Sequence, residues 1–351
     1  EDNNVKVLID PWFLNGEYFG SWGIYPPYDF KPAEFDDVDF IYISHIHPDH
    51  CSPLTLSKLN KKIPVLIHNF NEKFFKNNLE RLGFKVIELE NNKRTHLKNN
   101  FYINIVAADN CNPEICGNIL GCSSMESEYS STQIDTMAVF DNSSQVIINT
   151  NDCPFELSEN TAKKIVTQYK NIDLLLVGYS GASSYPQCFN LSEKETKIEA
   201  EMKTKKRLGN ALSYIGIFNP KFYMPFAGRY TLAGKNYTLN KNRGEPDLDY
   251  ALEYLSKNTD QSKNKCIALN SKESFDLNNN QASRPYQKII PNEKNEYVKK
   301  VLSKIKYDFE NEPKINSNLL EELIPESYSR FDNMRKKIGY STKTKIILKL
   351  T

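Results

Sequence analysis

Apolar positions along this chain come in short runs that end in polar loops. Val5 to Ile9, "DFIYISH" (39–45), "PVLIHNF" (64–70), "KVIELE" (85–90) and "FYINIVAA" (101–108) are rich in β-branched and aromatic residues and read as strands. "LTLSKL" (54–59) and "EKFFKNNLERLG" (72–83) separate them. "TMAVFD" (136–141) and "QVIINTND" (145–152) flank an Asn-Ser turn, as the arms of a hairpin do. A helical stretch, the apolar strand "DLLLVGY" (173–179), a Gly/Ser/Pro loop and a long charged helix from about Ser192 to Ile217 follow. The alternation predicts a layered α/β architecture.

Residues 256–297 are rich in Asn, Lys, Ser and Gln, which predicts an exposed connection with one short strand near Cys266 to Leu269. Beyond it come two amphipathic helices, "EYVKKVLSKIKYDF" (296–309) and "NLLEELIPESYSRFDNMRKKIG" (318–339), and a strand "KTKIILKL" (343–350). The expected division is a main domain over 1–290 and a helical extension over 291–351 that ends in a strand. The sequence opens without Met, a few residues before a β-run, so a preceding segment with a further strand is expected.

Composition narrows the function. The 351 residues are 39% hydrophobic and 12% aromatic, as in an ordinary globular protein. A formal charge of +1 argues against nucleic acid as a partner. Residues 291–351 hold 13 Lys and Arg against 9 Asp and Glu, for which a solvated helical face is the plainer reading. No apolar run approaches the roughly 18–20 residues of a transmembrane helix, and the start lacks a leader-like basic and apolar pattern. Seven cysteines without scaffold spacing suggest reduced thiols. A cytoplasmic location is the expectation.

Chemistry concentrates in "IYISHIHPDHCS" (41–52), which holds three of the five histidines. In extended backbone His45 and His47 share one face, while Asp49 and His50 lie beyond the turn at Pro48. Imidazoles and carboxylates suit zinc, iron or manganese, and two half-sites about 3.5–4 Å apart make a two-metal centre. Asp49 and His50 are thus candidates for catalysis as well as for ligation. His68, inside an apolar run, and His96, in a charged connection, read as structural. The loop 178–186 offers Ser180, Ser183 and Tyr185 as a pocket wall. Trp12, Trp22 and Tyr25 could stack on a ring, with loop packing as the plainer reading. Lys203, Lys205, Lys206 and Arg207 could meet a phosphate, although a solvated helix face accounts for most of them.

The histidine run resembles the signature of the metallo-β-lactamase superfamily. Together with "DPWFLNGEYFGSWGIYPP", "IINTNDCP", "LLLVGYSGASSYPQCF" and "YMPFAGRY", in this order from about residue 8 to about residue 270, it resembles the metallo-β-lactamase-like domain of the CMP-N-acetylneuraminate hydroxylases. The resemblance implies a four-layer αββα metallo-β-lactamase-like sandwich with a C-terminal helical or α+β extension. It implies that Asp152 bridges two metals. Two further superfamily histidines are missing; Asp109 becomes the candidate first-site ligand, with Asn112 as its neighbour or substitute where the hydroxylases carry a histidine. Arg229 follows a Pro-Phe-Ala-Gly turn that replaces the late histidine, and is a substrate-binding candidate.

One or two divalent transition-metal ions are implied, iron ahead of zinc or manganese. The implied reaction is oxygenation of a sugar-nucleotide-like or other small anionic molecule, with an electron donor of Rieske or ferredoxin type. No Rieske-like Cys/His pairs occur in this sequence, so either a preceding segment or a separate protein carries that donor, or the reaction is different. Hydrolysis of a phosphodiester, lactone or amide by a metal-activated water is the alternative, with Asp49 orienting the water. A non-catalytic module on the same fold is the third reading.

Overall fold

The computed structural model describes residues 1–2, 4–70, 73–107, 135–227, 230–313, 317–337 and 341. Asp109, Asn112, Arg229, the strand expected over 343–350, and Cys111, Cys116 and Cys122 lie outside them.

Two sheets carry the molecule. The smaller has β1 (Val7–Ile9), β3 (Phe40–Tyr42), β4 (Val65–His68) and β5 (Val86–Leu89), all parallel, in that spatial order. The larger begins with three antiparallel pairings, joining β6 (Thr95–Lys98), β7 (Phe101–Ala107), β8 (Thr136–Asp141) and β9 (Val146–Asn149). It continues in parallel through β10 (Leu174–Gly178), β11 (Phe222–Phe226) and β13 (Lys265–Cys266). A small antiparallel pair joins β2 (Trp22–Gly23) to β12 (Thr231–Leu232).

Side-chain alternation along these strands builds the layers. Ile41, Ile43, Val65 and Ile67 face outward onto α1 (Pro53–Leu56) and α2 (Phe74–Arg81), where Leu56, Phe75 and Leu79 meet them. Tyr42 and Leu66 point the other way, into a core shared with Ile103, Ile105, Ala138 and Phe140 of the larger sheet. On the far side of that sheet, Met137, Val139, Ile148, Leu175 and Val177 pack on α3 (Phe155–Gln168), α4 (Glu193–Phe218) and α5 (Leu248–Lys257). The order is helix, sheet, sheet, helix: the four-layer αββα arrangement of the metallo-β-lactamase fold.

The smaller sheet covers only part of its partner. Leu174, Leu176 and Phe222 pack instead against Ile267, Phe275 and Leu277, and a cavity of about 660 Å³ remains there. The long helix α4 starts where the sequence places it, because Ser192 and Glu195 form a reciprocal capping box.

The C-terminal segment departs from expectation. Where one helix was expected over 296–309, α6 runs Pro291–Lys300, with Pro at its first turn, and two short 3-10 turns, Leu302–Lys304 and Asp308–Asn311, follow. Packing explains the break. Val298 and Leu302 are buried against Ala233, and the chain then crosses Gly20 and Gly234 so closely that a β-carbon at either would collide with residues 305–307. Both glycines also have positive φ, 87° and 56°. The second expected helix forms as α7 (Ser317–Lys337). Among the described residues no helix is long and apolar enough to cross a membrane, and Cys51, Cys153, Cys188 and Cys266 are free thiols.

Tyr42 ties the layers together. Its buried phenol bonds Thr136 Oγ1 at 2.9 Å and accepts from Asn151 Nδ2 at 3.3 Å. Tyr42→Phe should destabilise the protein by about 1–2 kcal/mol, read as a shift in urea midpoint at unchanged m-value; an unshifted midpoint would show that the tie contributes nothing.

Candidate metal centre

The loops that follow β1, β3, β9, β10 and β11 all leave the carboxyl ends of parallel strands, so they meet along one rim. The loop after β3 brings His45, His47, Asp49 and His50. From the larger sheet comes Asp152, after β9, with Asp135 just ahead of β8. Continuing the β8–β9 pairing, in which Ala138 lies opposite Asn149, puts Asp135 level with Asp152.

Two overlapping ligand groups result. His45, His47 and Asp135 form one, and His45, His50 and Asp152 the other, each with donor atoms within 4.8 Å of one another. His45 Nε2 lies 2.9 Å from His47 Nδ1 and 3.7 Å from Asp135 Oδ1. His50 Nε2 lies 3.3 Å from Asp152 Oδ2 and 3.7 Å from Asp49 Oδ2. We read His45, His47 and Asp135 as the donors of one ion, and Asp49, His50 and Asp152 as those of a second.

The surroundings set the tautomers. Ser44 Oγ donates to Asp10 Oδ2 at 2.6 Å, so at 2.9 Å it accepts from His45 Nδ1. His50 Nδ1 donates to Asp10 Oδ2 at 2.8 Å. Both rings therefore turn Nε2 toward the cluster, the arrangement in which metal-binding imidazoles are held by a carboxylate or hydroxyl behind them. Asp10 was absent from the expected site, although it ends the first strand and opens the "DPWFLNGEYFGSWGIYPP" segment that carries the resemblance.

Electrostatics agree with a cation. Asp135 is 7% exposed and its Oδ1 has no hydrogen-bond partner, a costly state for a carboxylate unless something positive meets it. Burial, then the Asp152 charge, push its carboxyl up to about 7. Burial pulls His50 down, but Asp152 and Asp10 outweigh it and hold the ring protonated well above its ordinary range. Burial lowers His45 well below that range. Asp152 is held below the usual carboxylate range because His50 overcomes its desolvation. Two imidazoles with one carboxylate in the first set, and one imidazole with two carboxylates in the second, are mixed sets that divalent iron, manganese or zinc accepts.

Five expected ligands, His45, His47, Asp49, His50 and Asp152, thus converge. Asp135 was missed. An aspartate one residue before a strand carries no mark of its own, and only the hairpin register aims it at Asp152. Among the described residues, His68 and His96 belong to neither group.

Two adjoining cavities of about 320 and 550 Å³ open over the cluster and share Asp49, Asp152, Gly181 and Tyr230. Trp22 lines the larger but is 9% exposed, stacked on Tyr230 at 3.8 Å and 4.1 Å from Tyr18. It is a packed wall rather than an open stacking platform. Tyr18 donates to Asp49 Oδ1 at 3.2 Å, and burial followed by the Asp49 charge keep its phenol protonated. Ser180 and Ser183 line the same cavity, yet Ser180 donates to Glu245 and Ser183 to Tyr185 O. Tyr185 is outside the wall and packs on Phe189.

No family model matches the sequence. The chain is 25% identical over 256 residues to a protein of Mycolicibacterium smegmatis named for a Rieske 2Fe-2S iron–sulfur centre, a match covering 70% of this chain and 45% of that one. It is 26% identical over 244 residues to the cytidine monophosphate-N-acetylneuraminic acid hydroxylase of Danio rerio (65% and 36%), and 26% identical over 274 residues to that of Pongo pygmaeus (76% and 41%). The chain spans less than half the length of these relatives. Among solved structures, CmlA, a diiron β-hydroxylase from Streptomyces venezuelae, superposes with a TM-score of 0.44 at 13% identity (74% of this chain, 49% of that one). An isothiocyanate hydrolase from Delia radicum gut bacteria gives 0.44 at 15% (75% and 89%).

Asp135→Asn, close in size, is expected to lower the metal-to-protein ratio by one ion in elemental analysis; an unchanged ratio would remove Asp135 from the ligand set. Because Asp135 and His50 hold protons that an ion must displace, apparent Mn(II) affinity should fall as pH is lowered from about 8 to about 6. Titrations in buffers of different ionisation enthalpy would report the released protons, and a flat profile would contradict this assignment. On its architecture the chain is a metallo-β-lactamase-fold protein, similar in sequence to the CMP-N-acetylneuraminate hydroxylases.

Proposed function

We propose that this chain is the metal-binding catalytic unit of an oxygenase that hydroxylates a small anionic molecule. One observation carries the reading furthest: a buried carboxylate with an unpartnered oxygen, Asp135, stands beside His45 and His47. A carboxylate-rich set favours non-haem iron over structural zinc. The similarity to proteins named as hydroxylases and for a Rieske centre supports the same choice. Bound here, iron would supply the redox chemistry that oxygen activation requires. An electron donor of Rieske or ferredoxin type belongs to the proposal.

The chain's own groups have separable tasks. Asp10 and Ser44 fix the two imidazoles with Nε2 forward. Tyr18 holds Asp49, whose other oxygen faces His50 and the cavities and can take a proton from a bound molecule. Trp22, Tyr230 and Tyr18 form an apolar wall that limits water. Glu245, through Ser180 and the Gly181 amide at 3.1 Å, fixes the loop across from the carboxylates.

A hydrolytic reading draws on that same Asp49, which is also placed to orient a water. Metal analysis of anaerobically purified protein, followed by oxygen uptake with a supplied reductant, separates the two. Bound iron with reductant-dependent uptake is expected, and His45→Ala should lose both metal and uptake. Stoichiometric zinc with phosphodiester turnover and no oxygen uptake would sink the oxygenase reading.

A further inference from the structure

The larger cavity over the carboxylate cluster contains one feature that neither the ligand set nor the loop packing uses. Among its described lining residues, Arg207 is the single Lys or Arg. It projects from α4, whose other basic groups near the site are engaged. Lys203 pairs with Glu245 at 2.5 Å, and Lys206 with Glu156 at 3.2 Å. Arg207 has no hydrogen bond or ion pair among the described residues. Its guanidinium lies flat over the loop at Gly181, where a methyl group would come within 2.5 Å of Cζ and 2.7 Å of one terminal nitrogen.

Among the described residues no carboxylate hydrogen-bonds this guanidinium, and Glu156 acts on it only through its charge. That is unusual beside Asp49, Asp135 and Asp152, which line the same cavity. Attraction to those aspartates would be the default for a freely moving side chain. The bare Gly181 gives it a different seat, with its donors uncommitted among the described residues and open to a ligand. A second observation also points to a ligand. Gln187, another lining residue, is 8% exposed; its amide donates to Ser183 O at 2.6 Å while its Oε1 has no partner. An N–H or O–H donor on the ligand would satisfy it.

Resting on the metal-centre reading above, we propose that Arg207, seated on Gly181, binds the oxyanion of the substrate and so selects anionic molecules for this centre. The planar fork suits a carboxylate or a phosphate, and pairs with either through two parallel hydrogen bonds. Arg207 thereby offsets the negative field that the three aspartates present to an incoming anion.

Both tryptophans of the chain, Trp12 and Trp22, line these two cavities, so intrinsic fluorescence can follow binding. The metal-loaded protein would be titrated with benzoate, phenyl phosphate and the neutral benzamide. At least one anion should bind the wild type and lose about tenfold or more in affinity in Arg207→Gln, with partial recovery in Arg207→Lys. Gly181→Ala, which keeps the charge but occupies its seat, should also weaken the anion, while benzamide is unaffected throughout. The stronger of the two anions identifies carboxylate or phosphate as the source. No anion binding to the wild type, or equal affinity in Arg207→Gln, would overturn the proposal. Metal content measured on the same samples separates the failures: a metal-free wild type counts against the metal centre, whereas full metal with equal affinities counts against Arg207 alone.

Discussion

Tyr42 lies completely buried between the two sheets, and its hydroxyl is where the histidine loop of one meets the carboxylate loops of the other. Thr136 donates to the carbonyl of Ser44 at 2.8 Å, so the Tyr42 phenol gives its own proton to Thr136. Asn151 donates to that phenol and to the Thr136 carbonyl. Each of these residues sits next to a proposed ligand: Ser44 beside His45, Thr136 beside Asp135, Asn151 beside Asp152. The network therefore fixes donor spacing at the rim of two sheets joined mainly by apolar packing, which resists separation but tolerates sliding. The other polar links, such as Lys98 to Asp39 and the Ala107 amide to Asn91, lie away from the ligand loops. A metal centre needs tighter placement than apolar packing alone gives.

Gathering aspartates around buried imidazoles has a cost where a charge loses water without a full partner, as Asp135 does, whereas Asp152 and His50 compensate each other. The molecule answers in two ways. Asp10 and Ser44 partly satisfy His45 and His50 from behind, and Tyr18 does the same for Asp49. What stays unsatisfied, Asp135 Oδ1, faces the place where a cation would lie. The surplus negative charge also limits which molecules can enter, and a guanidinium on the opposite wall fits that need.

Several elements were legible before any coordinates. Apolar runs located most strands of both sheets, the charged helical stretch was expected from about Ser192, and the histidine run marked one side of the centre. Other expectations failed for identifiable reasons. The helix expected over 296–309 stops at Lys300 because Leu302 is drawn into a buried contact, and amphipathic spacing cannot register a distant glycine. Trp22 was a candidate stacking platform, but Tyr230, more than two hundred residues later, covers its face at 3.8 Å.

By itself the sequence determined the layered α/β order and the concentration of His45, His47, Asp49 and His50 in one loop, since local propensity and strand alternation act over neighbouring residues. Tertiary structure alone decided that Asp135 stands beside His45, that Asp10 orients two rings, and that Arg207 rests on Gly181 in the cavity. Those relations depend on strand register and on the approach of separate loops. Such contacts are set by the packing of the whole molecule, and a lone aspartate or arginine carries no local sign of them.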